Sequence, residues 1–153
     1  MTLDTAGGPD QAILVASAGD PIPAEVLARV RDLTGDSRPP VLIVSVARIW
    51  GTALGLPNPG LYPTRQEMEQ QREHVAAAAT ALAREGFPVQ TDVLRARNAS
   101  KAIARYAEKR DCRAVVIADP DSTRWRRMFF GDVPREIRRR TRIQVEPVGV
   151  PGR

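Results

Sequence analysis

Three carboxylates lie in one short segment of this 153-residue chain, residues 118–132, which reads ADPDSTRWRRMFFGD. The segment directly follows an apolar run, residues 114–117, and so takes the place where α/β proteins hold the phosphates of a ligand. A phosphate loop needs glycines, whose backbone N–H groups approach the anion closely, and this segment has only Gly131. Its carboxylates, on Asp119, Asp121 and Asp132, would repel a phosphate.

These acidic residues allow two interpretations. Carboxylate oxygens are ligands that Mg²⁺ prefers, so Asp119, Asp121 and Asp132 could hold this ion between themselves and a phosphate. Alternatively, Asp121 stabilises a turn and Asp132 caps the helix that follows. We favour the second interpretation and predict no metal site, because the D-x-D pattern is too short to indicate one by itself.

Arginines are concentrated near the end of the chain, which carries a net charge of +5. The pattern favours a solvated helix face, with cations stabilising the C-terminal end of the helix. The alternative is a surface that binds an acidic partner or nucleic acid, with Trp125, Phe129 and Phe130 stacking on bases. We favour the first interpretation and do not expect a nucleic-acid partner. The arginines concerned are Arg124, Arg126, Arg127, Arg135, Arg138, Arg139, Arg140 and Arg142.

Residue types that carry catalysis are scarce in this chain. His74 is its only histidine and Cys112 its only cysteine, and His74 has no acidic or cysteine partner at ligand spacing. Cys112 stands just before an apolar run and is predicted to be a small buried residue. With no pair of nucleophile and base, we predict no catalytic residues and no enzymatic activity.

Five apolar runs alternate with helical stretches, which is typical of a parallel sheet covered by helices on both faces. Three runs are almost continuously apolar, as in strands buried on both faces, and these are 12–16, 41–46 and 114–118. The runs 89–94 and 143–148 alternate with polar residues and fit the edges. The pattern predicts an open five-stranded parallel sheet of order 3-2-1-4-5. It also predicts a single domain over residues 11–150 after a flexible tail, residues 1–10.

Winding in such a sheet reverses between the first and fourth strands, so a ligand crevice should open at their carboxyl ends. The segments that meet there are 17–20 and 118–132, and the Gly- and Pro-rich connection 48–63 is predicted to cover them. The candidate ligand-binding residues are Ala18, Gly19, Asp20, Ala118, Asp121, Ser122, Gly131 and Asp132.

Polar residues at helix starts predict where the helices begin. Asp20 is predicted to cap the first helix and Asn98 the third, and Asp132 the fourth. Thr64 and Glu67 have the spacing of a capping box for the second helix.

Taken together, the chain resembles the universal stress protein family over residues 12–148. The resemblance depends on ILVASAGDPIPAEVLARV near the start, and on VLRARNASKAIARYAEKRDCRAVVIADP and RRMFFGDVPREIRRRTRIQVEPV further on. It implies a Rossmann-like, adenine nucleotide alpha hydrolase-like fold. It also implies a homodimer paired through the last strand, where Ile143, Val145 and Val148 would otherwise lie uncovered.

The nucleotide motif of that family is changed here. Nucleotide-binding members carry G-x-x-G, nine residues, and then G-[ST]. In the same register this chain has Ala118, Asp121, Gly131 and Asp132, so only the last glycine matches. The family's first strand commonly ends in V-A-V-D-G-S, and Ala18 replaces the acid that helps to hold the nucleoside. The resemblance therefore implies a degenerate ATP site.

We accordingly expect a non-catalytic stress-response or regulatory domain that binds ATP weakly or not at all and needs no cofactor. The alternative is a functional ATP- or AMP-binding protein that uses altered loop contacts. The start of the chain, MTLDTAGGPDQ, is polar, and no apolar run is as long as a membrane helix requires. We therefore expect a cytoplasmic protein without a membrane partner.

Overall fold

A five-stranded parallel sheet lies between two layers of helices in the computed structural model, which describes residues 10–49, 63–119 and 132–149. The order of the strands is β3-β2-β1-β4-β5, as predicted. The strands are β1 (Ile13–Ser17), β2 (Val41–Arg48), β3 (Val89–Ala96), β4 (Ala114–Asp119) and β5 (Gln144–Gly149). The helices are α1 (Ala24–Thr34), α2 (Arg65–Arg84), α3 (Ala99–Lys109) and α4 (Val133–Arg140).

Three segments of the predictions fall largely outside the described residues, and one of them is the segment after β4, of which residues 120–131 are not described. The other two are the tail, of which only Asp10 is described, and the connection between β2 and α2, of which residues 50–62 are not described.

Strand β1 is buried on both faces, and its side chains alternate between two separate cores. Leu14 and Ala16 pack with residues of α3 and α4, whereas Ile13 and Val15 pack with residues of α1 and α2. Because a parallel strand between two helix layers has no solvent face, its sequence is continuously apolar. This is why the run 12–16 predicted a central strand correctly.

The two outer strands are polar where they face solvent. In β3 the side chains of Gln90, Thr91 and Asp92 are exposed, and in β5 that of Gln144 is exposed. The predicted edge positions of both strands are confirmed. None of the helices within the described ranges is long and apolar enough to cross a membrane.

The capping residues predicted for three helices are confirmed. The Thr64 Oγ1 accepts the Glu67 N–H at 3.1 Å, and the Glu67 carboxylate accepts the Thr64 N–H at 2.9 Å, which completes the predicted capping box of α2. The Asn98 Oδ1 accepts the Lys101 N–H at 3.0 Å at the start of α3. Asp132 caps α4 in the same way. Each cap satisfies a backbone donor that the helix leaves without a partner.

The prediction that Asp20 caps α1 is wrong. The N-cap is Pro23, which has extended backbone angles and no side-chain cap, and the helix begins at Ala24. Two prolines, Pro21 and Pro23, fix the backbone of this segment and move the start of the helix along the chain. The helix ends at Gly35, which has a φ of +56°.

Cys112 is buried between α3 and β4, as the sequence predicted, with 3% of its surface exposed. Burial, together with the smaller effect of the neighbouring Asp111 carboxylate, raises the pKa of its thiol to about 11. The thiol is therefore neutral at physiological pH, which is the state of a structural and not of a nucleophilic cysteine.

The capping box of α2 gives a test of these local contacts. Replacing Thr64 by Ala removes the side-chain acceptor of the Glu67 N–H, and we expect the free energy of unfolding to fall by about 1 kcal/mol. Urea denaturation followed by circular dichroism measures the change. Thr80→Ala is the matched control, because Thr80 lies on the exposed side of the same helix and bonds back to the Ala76 carbonyl oxygen. An equal loss in both variants would contradict the role of the cap.

Candidate functional site

The carboxyl ends of β1 and β4 lie side by side in the sheet. The two strands pair in parallel, with Ala16 beside Ile117. From this point the chain runs from β1 into α1 on one face, and from β4 towards α4 on the other face. In open α/β sheets, ligands bind where the direction of winding reverses in this way.

A hydrogen-bond network fixes the loop that follows β1. The Gly19 N–H donates to the Ser17 Oγ at 3.2 Å, and the Ser17 hydroxyl donates to the Asp20 carbonyl oxygen. From α2, the Gln71 Nε2 donates to the Gly19 carbonyl oxygen at 2.9 Å. Both backbone hydrogen-bonding groups of Gly19 therefore have partners within the chain.

Ser45 of β2 orients the side chain of Gln71. The Ser45 hydroxyl is fully buried and donates to the Gln71 Oε1. Because this oxygen accepts from β2, the amide nitrogen of Gln71 is directed to the loop after β1. A buried hydroxyl without a partner is costly, so Ser45 and Gln71 stabilise each other as well as the loop.

Sequence reasoning missed Gln71 and Ser45. Gln71 stands three positions after Met68 and four before Val75, both of which are buried, so it is a polar residue on the buried side of α2. Ser45 is the one polar residue inside the apolar run VLIVSV. A polar residue at a core position of each element was the available signal.

Two of the candidate residues, Ala18 and Ala118, are half-buried and pack against the cores. The Ala18 methyl group packs against the core beneath α3 and α4, and that of Ala118 packs against the core beneath α1 and α2. Neither side chain carries a group that can bind a polar ligand. A contact with a ligand at these positions has to come from the backbone.

Asp132 begins α4 and serves as its N-cap. The Asp132 Oδ1 accepts the Arg135 N–H at 3.3 Å, and Pro134 lies in the first turn. The interpretation of Asp132 as a cap is confirmed. The remaining candidates, Asp121, Ser122 and Gly131, lie outside the described residues.

The acidic residues of the described segments do not form a metal cluster. No group of three or more His, Cys, Asp or Glu side chains in residues 10–49, 63–119 and 132–149 is arranged to hold a metal ion. The magnesium alternative includes Asp121, which is not among those residues.

Of the three residues expected to lie uncovered at the last strand, Val145 is buried within the chain, and Ile143 and Val148 are half-buried. Val145 is 6% exposed in the core beneath α3 and α4, where Ile143 also packs. Val148 packs against the core on the other face, and the Arg29 guanidinium of α1 pairs with the Glu146 carboxylate at 2.8 Å. Helices flank β5 on both faces, so its side chains do not require a second copy of the chain.

Gly19 is a position where the loop requires glycine. Its φ is +121°, although an added Cβ would lie 3.6 Å from its nearest neighbour, the Val46 carbonyl oxygen. Space is therefore available and only the backbone angle opposes a side chain.

We expect Gly19→Ala to lower the free energy of unfolding by roughly 1–3 kcal/mol, because alanine is strained at this φ. Chemical denaturation measures the loss. Gly149→Ala is the control, since nothing lies within 4 Å of its added Cβ. If Gly19→Ala were as stable as the control, the loop would not depend on this conformation.

Comparison with known proteins places this chain among relatives of the same fold. The model of the universal stress protein family matches residues 11–145. The universal stress protein from Archaeoglobus fulgidus in complex with dAMP has a TM-score of 0.61 and 20% identity, over 90% of this chain and 97% of that chain. A protein of the same family from Burkholderia pseudomallei has a TM-score of 0.66 and 18% identity, over 93% and 98%.

A universal stress protein solved in complex with cAMP has a TM-score of 0.55 and 14% identity, over 90% of this chain and 96% of that chain. A search of curated protein sequences finds no match. The solved structures establish the fold, and the family model spans nearly all of the sheet and its helices. The chain therefore belongs to the universal stress protein family.

Proposed function

We propose that this domain is a non-catalytic, stress-response or regulatory member of its family, with a degenerate nucleotide site that binds ATP weakly or not at all. The proposal rests on one observation: polar groups near the carboxyl ends of β1 and β4 already form hydrogen bonds within the chain. Both backbone groups of Gly19 and the carboxylate of Asp132 are hydrogen-bonded within the chain. A ligand would have to compete with these contacts.

Asp132 opposes an anion in two ways. The N-terminus of a helix attracts phosphate through its free N–H groups and its dipole, and the Asp132 carboxylate already accepts the Arg135 N–H there. Its negative charge also repels phosphate, by roughly 4 kcal/mol for a separation of about 4 Å at an effective dielectric constant near 20. The family pattern has an uncharged Ser or Thr at this position.

The alternative is a functional ATP or AMP binder that uses altered contacts around Ala18, Gly19, Ala118 and Asp132. Relatives named as complexes with dAMP and cAMP support a nucleotide in this crevice. Residues 120–131, which contain Ser122 and Gly131, would have to supply the contacts in that case.

Isothermal titration with ATP and Mg²⁺ separates the two functions. We expect no saturable binding by the wild type in the micromolar range. Asp132→Ser should gain measurable affinity, up to about a thousandfold, because serine keeps the helix cap and removes the charge. Asp36→Ser is the matched control, since it removes one exposed carboxylate elsewhere. Saturable micromolar binding by the wild type would favour the functional binder.

We also propose that the chain forms a homodimer through β5. This strand pairs with β4 and stands at the edge of the sheet, so a second copy can reach its outer side. Since Val145 is buried in its own chain, the dimer contact would depend on the backbone of β5. The half-buried side chains of Ile143 and Val148 would contribute through their exposed parts.

Light scattering should therefore give a mass near twice 16.8 kDa at micromolar concentrations. Gly149→Lys should shift the mass to that of one chain, because it adds a charge at the edge of β5, where an added Cβ has no described neighbour within 4 Å. Gly149→Ala is its control. A single-chain mass for the wild type would contradict the dimer.

A further inference from the structure

The charge of the protein is divided unequally between the two helix layers. Helix α1 has two acidic and two basic residues, and α2 has three of each, so that layer is neutral. On the other face, α3 has three basic residues and one acidic residue, and α4 has four and one. These two helices thus carry net charges of +2 and +3, which together equal the net charge of the whole chain.

The basic side chains of α3 and α4 form one exposed surface. Lys101, Arg105 and Lys109 repeat every four residues along α3 and are all exposed, so they make a single stripe. Helix α4 packs beside α3, and the Ser100 hydroxyl of α3 donates to the Glu136 carboxylate of α4 at 2.8 Å. We call this surface the α3–α4 basic face. Its basic residues are Lys101, Arg105, Lys109, Arg135, Arg138, Arg139 and Arg140.

These cations are not used in ion pairs among the residues that the structure describes. By contrast, three of the five arginines of α1 and α2 are paired: Arg29 with Glu146, Arg31 with Glu85 and Arg72 with Glu69. On the basic face, Glu136 is bonded to Ser100 instead of to an arginine. Seven exposed cations close together repel one another, and an external anion would relieve this repulsion.

A groove at the ends of α3 and α4 continues the basic face. It has a volume of about 600 Å³, and its lining includes Arg138, Arg139, Arg140 and Arg142. Glu108 and Asp111 also line the groove, so a single small anion held there would meet carboxylates as well as guanidinium groups. A long polyanion is favoured instead, because it can contact cations along the whole face and is less affected by two local carboxylates.

The exposed side of these helices lacks the apolar residues that other partners require. The aliphatic residues Ala99, Ile103, Ala104, Ala107, Val133 and Ile137 are buried, and Ala102 and Tyr106 are half-buried. A protein partner needs an apolar centre, and a membrane-surface helix needs an exposed apolar side. A nucleic acid needs neither, since its outer groups are phosphates that basic side chains neutralise directly.

Contrary to the expectation from the sequence alone, we propose that the α3–α4 basic face binds the phosphate backbone of duplex nucleic acid without sequence preference. The groove lies at the ends of α3 and α4, just before β4 and β5 begin, and so at the opposite end of the sheet from the nucleotide crevice. The interaction does not depend on whether the crevice binds a nucleotide.

Fluorescence anisotropy with a labelled duplex of mixed sequence tests the proposal. If about four phosphates are contacted, the affinity should fall roughly a hundredfold when salt is raised from about 50 to about 200 mM. The double variant Arg105→Gln and Arg139→Gln should weaken binding about tenfold or more. The slope of log affinity against log salt should also fall, by the amount that corresponds to about two phosphate contacts.

The matched control is the double variant Arg65→Gln and Arg84→Gln, which removes the same charge from exposed positions on α2. It should leave both the affinity and the salt dependence nearly unchanged. A second test variant, Lys101→Gln with Lys109→Gln, leaves α4 unchanged. It should weaken binding and reduce the salt dependence as much as the first test variant does.

Three results would overturn the proposal. The first is no complex with duplex DNA at low salt. The second is an equal weakening by the control and the two test variants, which would mean a non-specific effect of net charge. The third is binding to vesicles that contain phosphatidylserine but not to the duplex, which would identify a membrane surface as the partner.

Discussion

The burial of β1 on both faces is the constraint on which the rest of this structure depends. A central parallel strand needs helices above and below it, and the chain can supply them only by winding in opposite directions from β1 and from β4. The same reversal places the carboxyl ends of β1 and β4 side by side, with the helices that follow them on opposite faces of the sheet. The location of the candidate site is therefore a consequence of how the sheet is covered, whether or not the site still binds a ligand.

The strands and their order could be predicted because burial leaves a direct trace in sequence. Continuous apolar runs indicated the central strands, and Gln90, Asp92 and Gln144 indicated the edges. Helix caps such as Thr64 were predictable for a similar reason, since the cap and its partner are three residues apart. The N-cap of α1 was mispredicted because Pro21 and Pro23 separate Asp20 from the first residue of the helix. A capping residue nearby does not show at which position the helix begins.

The site itself was less predictable, because its contacts are distant in sequence. Gln71 bonds to Gly19 across 52 positions, and no local pattern joins these two residues. The cover on Val145 and Val148 likewise comes from helices elsewhere in the chain, so their apolar character did not reveal whether they face the protein's own core or a partner. The charge division between the layers also became visible only when α3 and α4 were seen to share one face.

The two cores differ in where their residues come from along the chain. The core beneath α1 and α2 consists of residues from Ile13 to Phe87, with Val116 as the one exception among its buried members. The core beneath α3 and α4 joins Leu14 and Val44 with residues as late as Val145. During synthesis the first layer can close as soon as β3 has emerged. The opposite face of the same strands stays exposed until α3 is made, and for that interval it is a surface on which a nascent chain can aggregate.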